Sequence, residues 1–193
     1  MEKHLHTSKG LAWIMVLSFA LLTGCSGNLT YQAAMDKNRK SISDLSRLQD
    51  ANFLTEAASF NLFKKQVADL GVERGYSSAL VDLARAKVKE YNASGREITK
   101  LAKKKKFKIP AEMKREHQAL VDQLSSSAKA EFDSEFIKVL QDLNREQTAI
   151  YEENSSGAED ADVRAFAARN LGALRRNADE FAKVDDQLMH LHR

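Results

Sequence analysis

The chain has 193 residues, 30 lysines and arginines against 27 acids, a formal net charge of +3 and a single cysteine. That near-balance argues against nucleic acid as an obligatory partner, which would call for a strong basic bias, and one cysteine excludes an internal disulfide. A single proline, 8 glycines and many Ala, Leu, Lys, Glu and Arg residues predict an all-α chain with one packed core.

Residues Met1 to Gly10 are mildly positive, with Lys3 and Lys9 against Glu2, and Leu11 to Leu22 form an apolar run. The run suits a signal-peptide core, since a spanning helix needs about 18–20 such residues. Its end, Leu22-Thr23-Gly24-Cys25, resembles the lipobox of bacterial lipoproteins, in which a peptidase cuts before a cysteine that takes a diacylglycerol. Small Thr23 and Gly24 let an extended backbone enter a narrow cleft. The resemblance implies a signal peptide over 1–24 and lipidation at Cys25. Several acyl chains on one residue anchor stably where one does not. Ser26 is not the aspartate that favours inner-membrane retention, so the outer membrane, facing the periplasm, is the expected address.

Residues 25–50 are expected to be the lipidated N-terminus and a spacer, with Met35, Ile42, Leu45 and Leu48 as a sparse apolar stripe. Fully helical, the spacer would reach roughly 35 Å; a flexible tether is the alternative. The folded domain is expected over 51–190. Its first helix runs from Ala51 to Gly71 on the stripe Phe53, Ala57, Phe60, Lys64 and Val67. Ser77 caps a second helix to Lys104, with Ala84, Val88, Tyr91, Gly95, Ile98 and Ala102 inward. Pro110 stops any continuation. A short helix from Ala111 to Leu124 carries Met113, His117, Leu120 and Leu124 on one side. The third long helix covers Ala128 to Glu153, with Phe136, Ile137, Leu140, Leu143, Asn144, Ile150 and Tyr151 near its apolar face. Asn154 to Gly157 reads as a turn. The fourth begins around Asp160, with Phe166, Asn170, Leu174, Asn177, Phe181, Val184 and Leu188 inward. These elements predict an antiparallel four-helix bundle with a short extra helix in the crossover between helices two and three. No internal repeat is expected.

Each long helix places a polar residue on its inward stripe near mid-length: Lys64, Tyr91, Asn144 and Asn177. In an antiparallel bundle these meet at one height, as a polar core layer. The expected arrangement has Asn144, Asn177 and Tyr91 hydrogen-bonded to one another and Lys64 paired with an acid such as Glu97, Glu146 or Glu180. The sharper alternative is a small-ligand pocket lined by the same four residues.

A set of short segments carries a family resemblance: Asn52-Phe53-Leu54, Leu101 through Pro110-Ala111, Glu116-His117-Gln118-Ala119-Leu120, Phe132-Asp133 with Phe136, and Ala165-Phe166-Ala167 leading to Leu171, Leu174 and Arg175. In order and spacing the chain resembles the bacterial domain-of-unknown-function family numbered 4142, often described as a predicted outer membrane protein. That resemblance implies a ferritin-like bundle. It also exposes departures. Where that family tends to carry glutamate on helix one, this chain has Lys64. Asp-His on helix two is replaced by Glu90-Tyr91, and the histidines of helices three and four by Asn144 and Asn177. An ammonium has no lone pair for a cation, so neither a metal site nor a cofactor is expected.

No Gly-rich phosphate loop, nucleophile elbow or Cys-His pair is present, and only His117 is placed to serve a serine nucleophile. The run Lys103 to Lys106 with Lys108 reads as a solvated helix end, with anionic headgroups as the alternative contact. The expected function is therefore a non-enzymatic, lipid-anchored envelope module that binds or scaffolds. Its partners are the membrane, through Cys25, and a candidate envelope protein. The competing class is a ferritin-like metal-binding protein or oxidoreductase with atypical ligands.

Overall fold

The computed structural model describes residues 28–191. The leader, the Leu-Thr-Gly-Cys end and the lipidation at Cys25 lie outside the described residues. The described chain is all-helical, with six helices, and none is long and apolar enough to cross a membrane.

Helix α1 (Tyr31–Ser41) starts where Thr30 accepts a hydrogen bond from the amide of Ala33 at 3.2 Å. It occupies the stretch expected as spacer, yet it lies against α2 (Leu45–Arg74). The dock is polar at its centre. Fully buried Asn38 donates to Thr55 Oγ1 at 3.1 Å and to the Lys108 carbonyl at 2.8 Å, and its Oδ1 accepts from the Lys108 amide at 2.7 Å. The Tyr31 hydroxyl donates to Glu56 at 2.6 Å, and the Leu29 carbonyl accepts from the Ala111 amide at 2.8 Å. Apolar periodicity undersells this helix because an asparagine, flanked by buried Ala34 and Ile42, fastens it.

Helix α2 begins ahead of the expected Ala51 because Asp44 caps it, accepting from the Arg47 amide at 2.7 Å. It also runs past Gly71, which is a contact glycine and not a helix end. A Cβ there would strike the Phe136 ring, 2.7 Å from Cζ, and would lie 2.8 Å from Ala84 Cβ. The helix ends at Gly75, and α3 (Ser78–Lys105) follows. Ser77 holds the expected cap position but its hydroxyl makes no capping bond. Lys106 ends α3 in the left-handed conformation, at φ 60°.

The short helix α4 is Arg115–Ser126, and its buried face is His117, Val121 and Leu124. Leu120, expected inward, is 42% exposed. The expected turn at 154–157 is helical. Helix α5 is Phe132–Gly157, the turn falls at 158–160, and α6 is Ala161–Leu191. The four long helices contact one another around a ring, α2 with α3, α3 with α6, α6 with α5, and α5 with α2.

The sequence shows no obvious repeat, but the structure reveals one. Asp133 near the start of α5 accepts from the amides of Tyr76 and Ser77, at 2.9 and 2.7 Å, in the α2–α3 turn. Asp50 near the start of α2 accepts from the amides of Glu159 and Asp160, at 3.0 and 2.8 Å, in the α5–α6 turn. Asp50-Ala-Asn-Phe53-Leu54 thus matches Asp133-Ser-Glu-Phe136-Ile137. The same offset pairs Asn61 with Asn144, Lys64 with Gln147, the helix end Arg74 with Gly157, Leu83 with Phe166 and Ile98 with Phe181. Two helical hairpins of one design face each other, with few residues identical between them.

The core falls into two clusters. One holds Phe60, Phe63, Val67, Leu80, Phe132, Phe136 and Phe181. The other holds Phe53, Leu54, Ile98, Tyr151, Val163, Phe166 and Leu174. A fully buried Phe or Leu contributes about 1.5–3 kcal/mol over its exposed form, so both ends hold firmly. Between them, along α2, α3, α5 and α6, lies a polar waist.

Candidate functional site

The waist gathers three of the four residues expected in a polar layer. Lys64, Tyr91 and Asn177 line one cavity of about 200 Å³, together with Glu90, Gln147 and Tyr151. Asn144 is buried beside it but turns away, donating to the Leu174 carbonyl at 2.9 Å. The expected mutual bonding of Asn144, Asn177 and Tyr91 does not occur. Each amide finds another partner, because a lysine absent from the expected layer takes the centre.

That residue is Lys87, 2% exposed. Its ammonium lies 2.8 Å from Glu90, 2.6 Å from Glu180 and 2.5 Å from Asn177 Oδ1, while Asn177 Nδ2 donates to Glu90 at 3.1 Å. Charge-assisted bonds on every side make its burial tolerable. Ala84, Lys87 and Tyr91 have helical spacing on one face, but a lysine there reads as surface, and Val88, which is only half-buried, was expected in its place.

Lys64 is therefore left without the acid expected for it, since Glu180 and Glu90 serve Lys87. Its ammonium lies 4.7 Å from the centre of the Tyr91 ring, a contact worth about 0.5–2 kcal/mol. Burial pushes Lys64 down to about 8, against the pull of the Glu90 charge and with the help of Lys87. Burial also pushes the Tyr91 phenol well up, reinforced by Glu90 and Glu180, so the ring keeps its proton. The Tyr91 hydroxyl and Gln147 Oε1 are buried without a hydrogen-bond partner, each in a residue 1% exposed. An orphaned buried polar atom costs about 1–3 kcal/mol. Gln147 carries no periodicity signal; only its match to Lys64 in the other hairpin marks it.

A ferritin-like bundle would build a metal centre at this level, but these residues do not fit one. Two ammonium groups face the cavity region, and among the described residues no three His, Cys, Asp or Glu side chains are grouped to hold an ion. His117 lies elsewhere, stacked on Phe63 at 4.6 Å and against Phe60 at 4.9 Å. Burial and the nearby Lys114 push it down. Its Nδ1 is 3.4 Å from Ser59 Oγ, yet Ser59 is fully enclosed and accepts from the Lys114 amide at 3.0 Å. A nucleophile so enclosed has no room for a substrate. In the basic run, Lys104 and Lys105 are committed to Asp160 and Asp162.

The fold and its waist define an all-helical protein built from two facing hairpins around a small polar cavity. Its sequence from 34 to 184 matches the family described as domain of unknown function DUF4142, and the chain belongs to that family. The match begins inside α1, in keeping with the docking of that helix. No curated protein and no solved structure matches the chain.

Proposed function

We propose that the protein is a lipid-anchored component of the bacterial envelope. It would be held through Cys25 at the outer membrane facing the periplasm, with a ferritin-like four-helix bundle that binds a ligand and catalyses no reaction. The observation that carries the binding role is the waist: a cavity where an uncommitted ammonium meets two buried, unpartnered polar atoms. A purely structural layer would have closed those bonds, as Lys87, Glu90, Glu180 and Asn177 do among themselves. The hydrophobic leader ending in Leu22-Thr23-Gly24-Cys25 supports the anchor. Against an enzymatic role stands the setting of the Ser59–His117 pair, which has no access.

The anchor is tested by Cys25→Ser in the native host. The expected result is an unprocessed, unacylated precursor that leaves the detergent-rich phase. Unchanged partitioning of that variant would refute attachment through this sulfur.

A further inference from the structure

We propose that the waist cavity is a binding site for a short-chain monocarboxylate, its carboxylate held by Lys64 and the Tyr91 hydroxyl. The proposal rests on the binding role argued above and names the ligand class. The acids near the site are already engaged, Glu90 and Glu180 on Lys87 and Glu97 on Arg169. Two donors remain free: Lys64 offers an ammonium and Tyr91 a phenolic proton that burial retains, while Gln147 presents an acceptor, Oε1, that a bridging water can meet.

Water could satisfy the phenol and the amide. It would leave the Lys64 ammonium without a contact ion, whereas a carboxylate gives one oxygen to that ammonium and the other to the phenol, with a water kept at Gln147 Oε1. The remaining wall includes Ala173, Leu174 and the Tyr151 ring, which suits a short aliphatic tail. At about 30 Å³ per water of liquid volume, the space equals roughly half a dozen waters, enough for an acid the size of propionate.

Charge selects the anion further. Lys87 with its two glutamates carries one surplus negative charge, and Lys64 balances it. A monoanion can be accommodated beside Lys64, but the second charge of a phosphate dianion would be opposed by Glu90, which lines the same cavity. Phosphate sites also rely on guanidinium forks or free backbone amides. The cavity wall has no arginine and consists of mid-helix residues whose amides are spent in the helices.

The test uses the full chain in detergent with biosynthetically ¹³C-labelled lysine, the Lys64 signal being assigned by its loss in Lys64→Gln. Titration with sodium propionate is expected to shift that signal saturably and to raise the pH at which Lys64 releases its proton. Chloride and phosphate at matched ionic strength should do neither. Calorimetry should show propionate binding weakened about ten- to a hundredfold by Tyr91→Phe, which removes a single hydroxyl and keeps the ring. No saturable shift, an equal response to phosphate, or undiminished affinity in Tyr91→Phe would each overturn the proposal. A failure here with Cys25→Ser still released from the membrane would remove the ligand and leave the anchor intact.

Discussion

Asp50 and Asp133 perform the same task at opposite ends of the molecule, each gripping two backbone amides in the turn of the other hairpin. The bonds join segments far apart in sequence and hold the hairpins in one register. Asp133→Ala and Asp50→Ala should each lower stability by about 1–3 kcal/mol, read from urea unfolding. Asp133→Asn keeps one acceptor oxygen and should fall between the alanine variant and the native chain. Losses near zero in both alanine variants would mean that water satisfies these turns equally well.

Lys64 sets a pH dependence whose sign is fixed. Its folded-state value is about 8, below the ordinary 10.5. Below about 8 it is charged in both folded and unfolded chains, and the whole cost of holding a charge at this half-buried position is present. From about 8 up to 10.5 the unfolded chain holds the proton that the folded chain has released, so stability rises across that window. Lys64→Met should therefore be more stable than the native chain by about 1–3 kcal/mol at neutral pH, in buffer free of carboxylates. The advantage should shrink towards pH 10.5. The charged and titratable neighbours are Lys87, Glu90, Tyr91 and Glu97 on α3, Tyr151 on α5 and Glu180 on α6, so the quantity to follow is the difference between the two proteins. A large fall in melting temperature would mean that the ammonium makes a contact the protein depends on.

Two glycines should respond in opposite ways to alanine. Gly71→Ala gains helix propensity of about 1 kcal/mol, but its Cβ meets the buried Phe136 ring and Ala84. Overpacking costs about 1–3 kcal/mol, and net destabilisation is expected. At Gly172 the nearest neighbour of an added Cβ is Arg176 Nη1 at 3.6 Å, an ordinary contact. Gly172→Ala should stabilise by about 0.5–1 kcal/mol. Thermal unfolding of the two variants side by side checks both signs.

Asn38 tests whether α1 belongs to the folded unit. Asn38→Ala removes three hydrogen bonds and strips both backbone groups of Lys108 of their Asn38 contacts. A loss of about 2–4 kcal/mol is expected, with early hydrogen exchange in α1 and the segment 106–111. If exchange there is fast in the native protein as well, the dock contributes little.

The long helices were legible because large residues recur at helical spacing: Phe53, Phe60 and Val67, then Phe136, Leu140 and Leu143, then Phe166, Leu174, Phe181 and Leu188 are all buried. Their ends were less so. Asp44 outranked the apolar pattern at the start of α2, and Gly71 looked like a helix end when its role is to admit a ring. At the waist, Lys64, Tyr91 and Asn177 were found by asking which inward positions were polar. Lys87 was missed because a lysine's default place is solvent, and only the convergence of Glu90, Glu180 and Asn177 from two helices reverses that preference. The hairpin repeat stayed hidden because it conserves positions, with Lys64 answered by Gln147 and Ala57 by Leu140.

The bond between the Leu29 carbonyl and the Ala111 amide has a bearing on how the molecule would sit in its surroundings. With α1 folded back on α2, the leash from Cys25 to Leu29 spans four residues, about 14 Å when fully drawn out. Under the attachment proposed at Cys25, such a tether would hold the start of α1 and the neighbouring Ala111 within that reach of the lipid surface, and whatever the waist captures would be collected close to the headgroups.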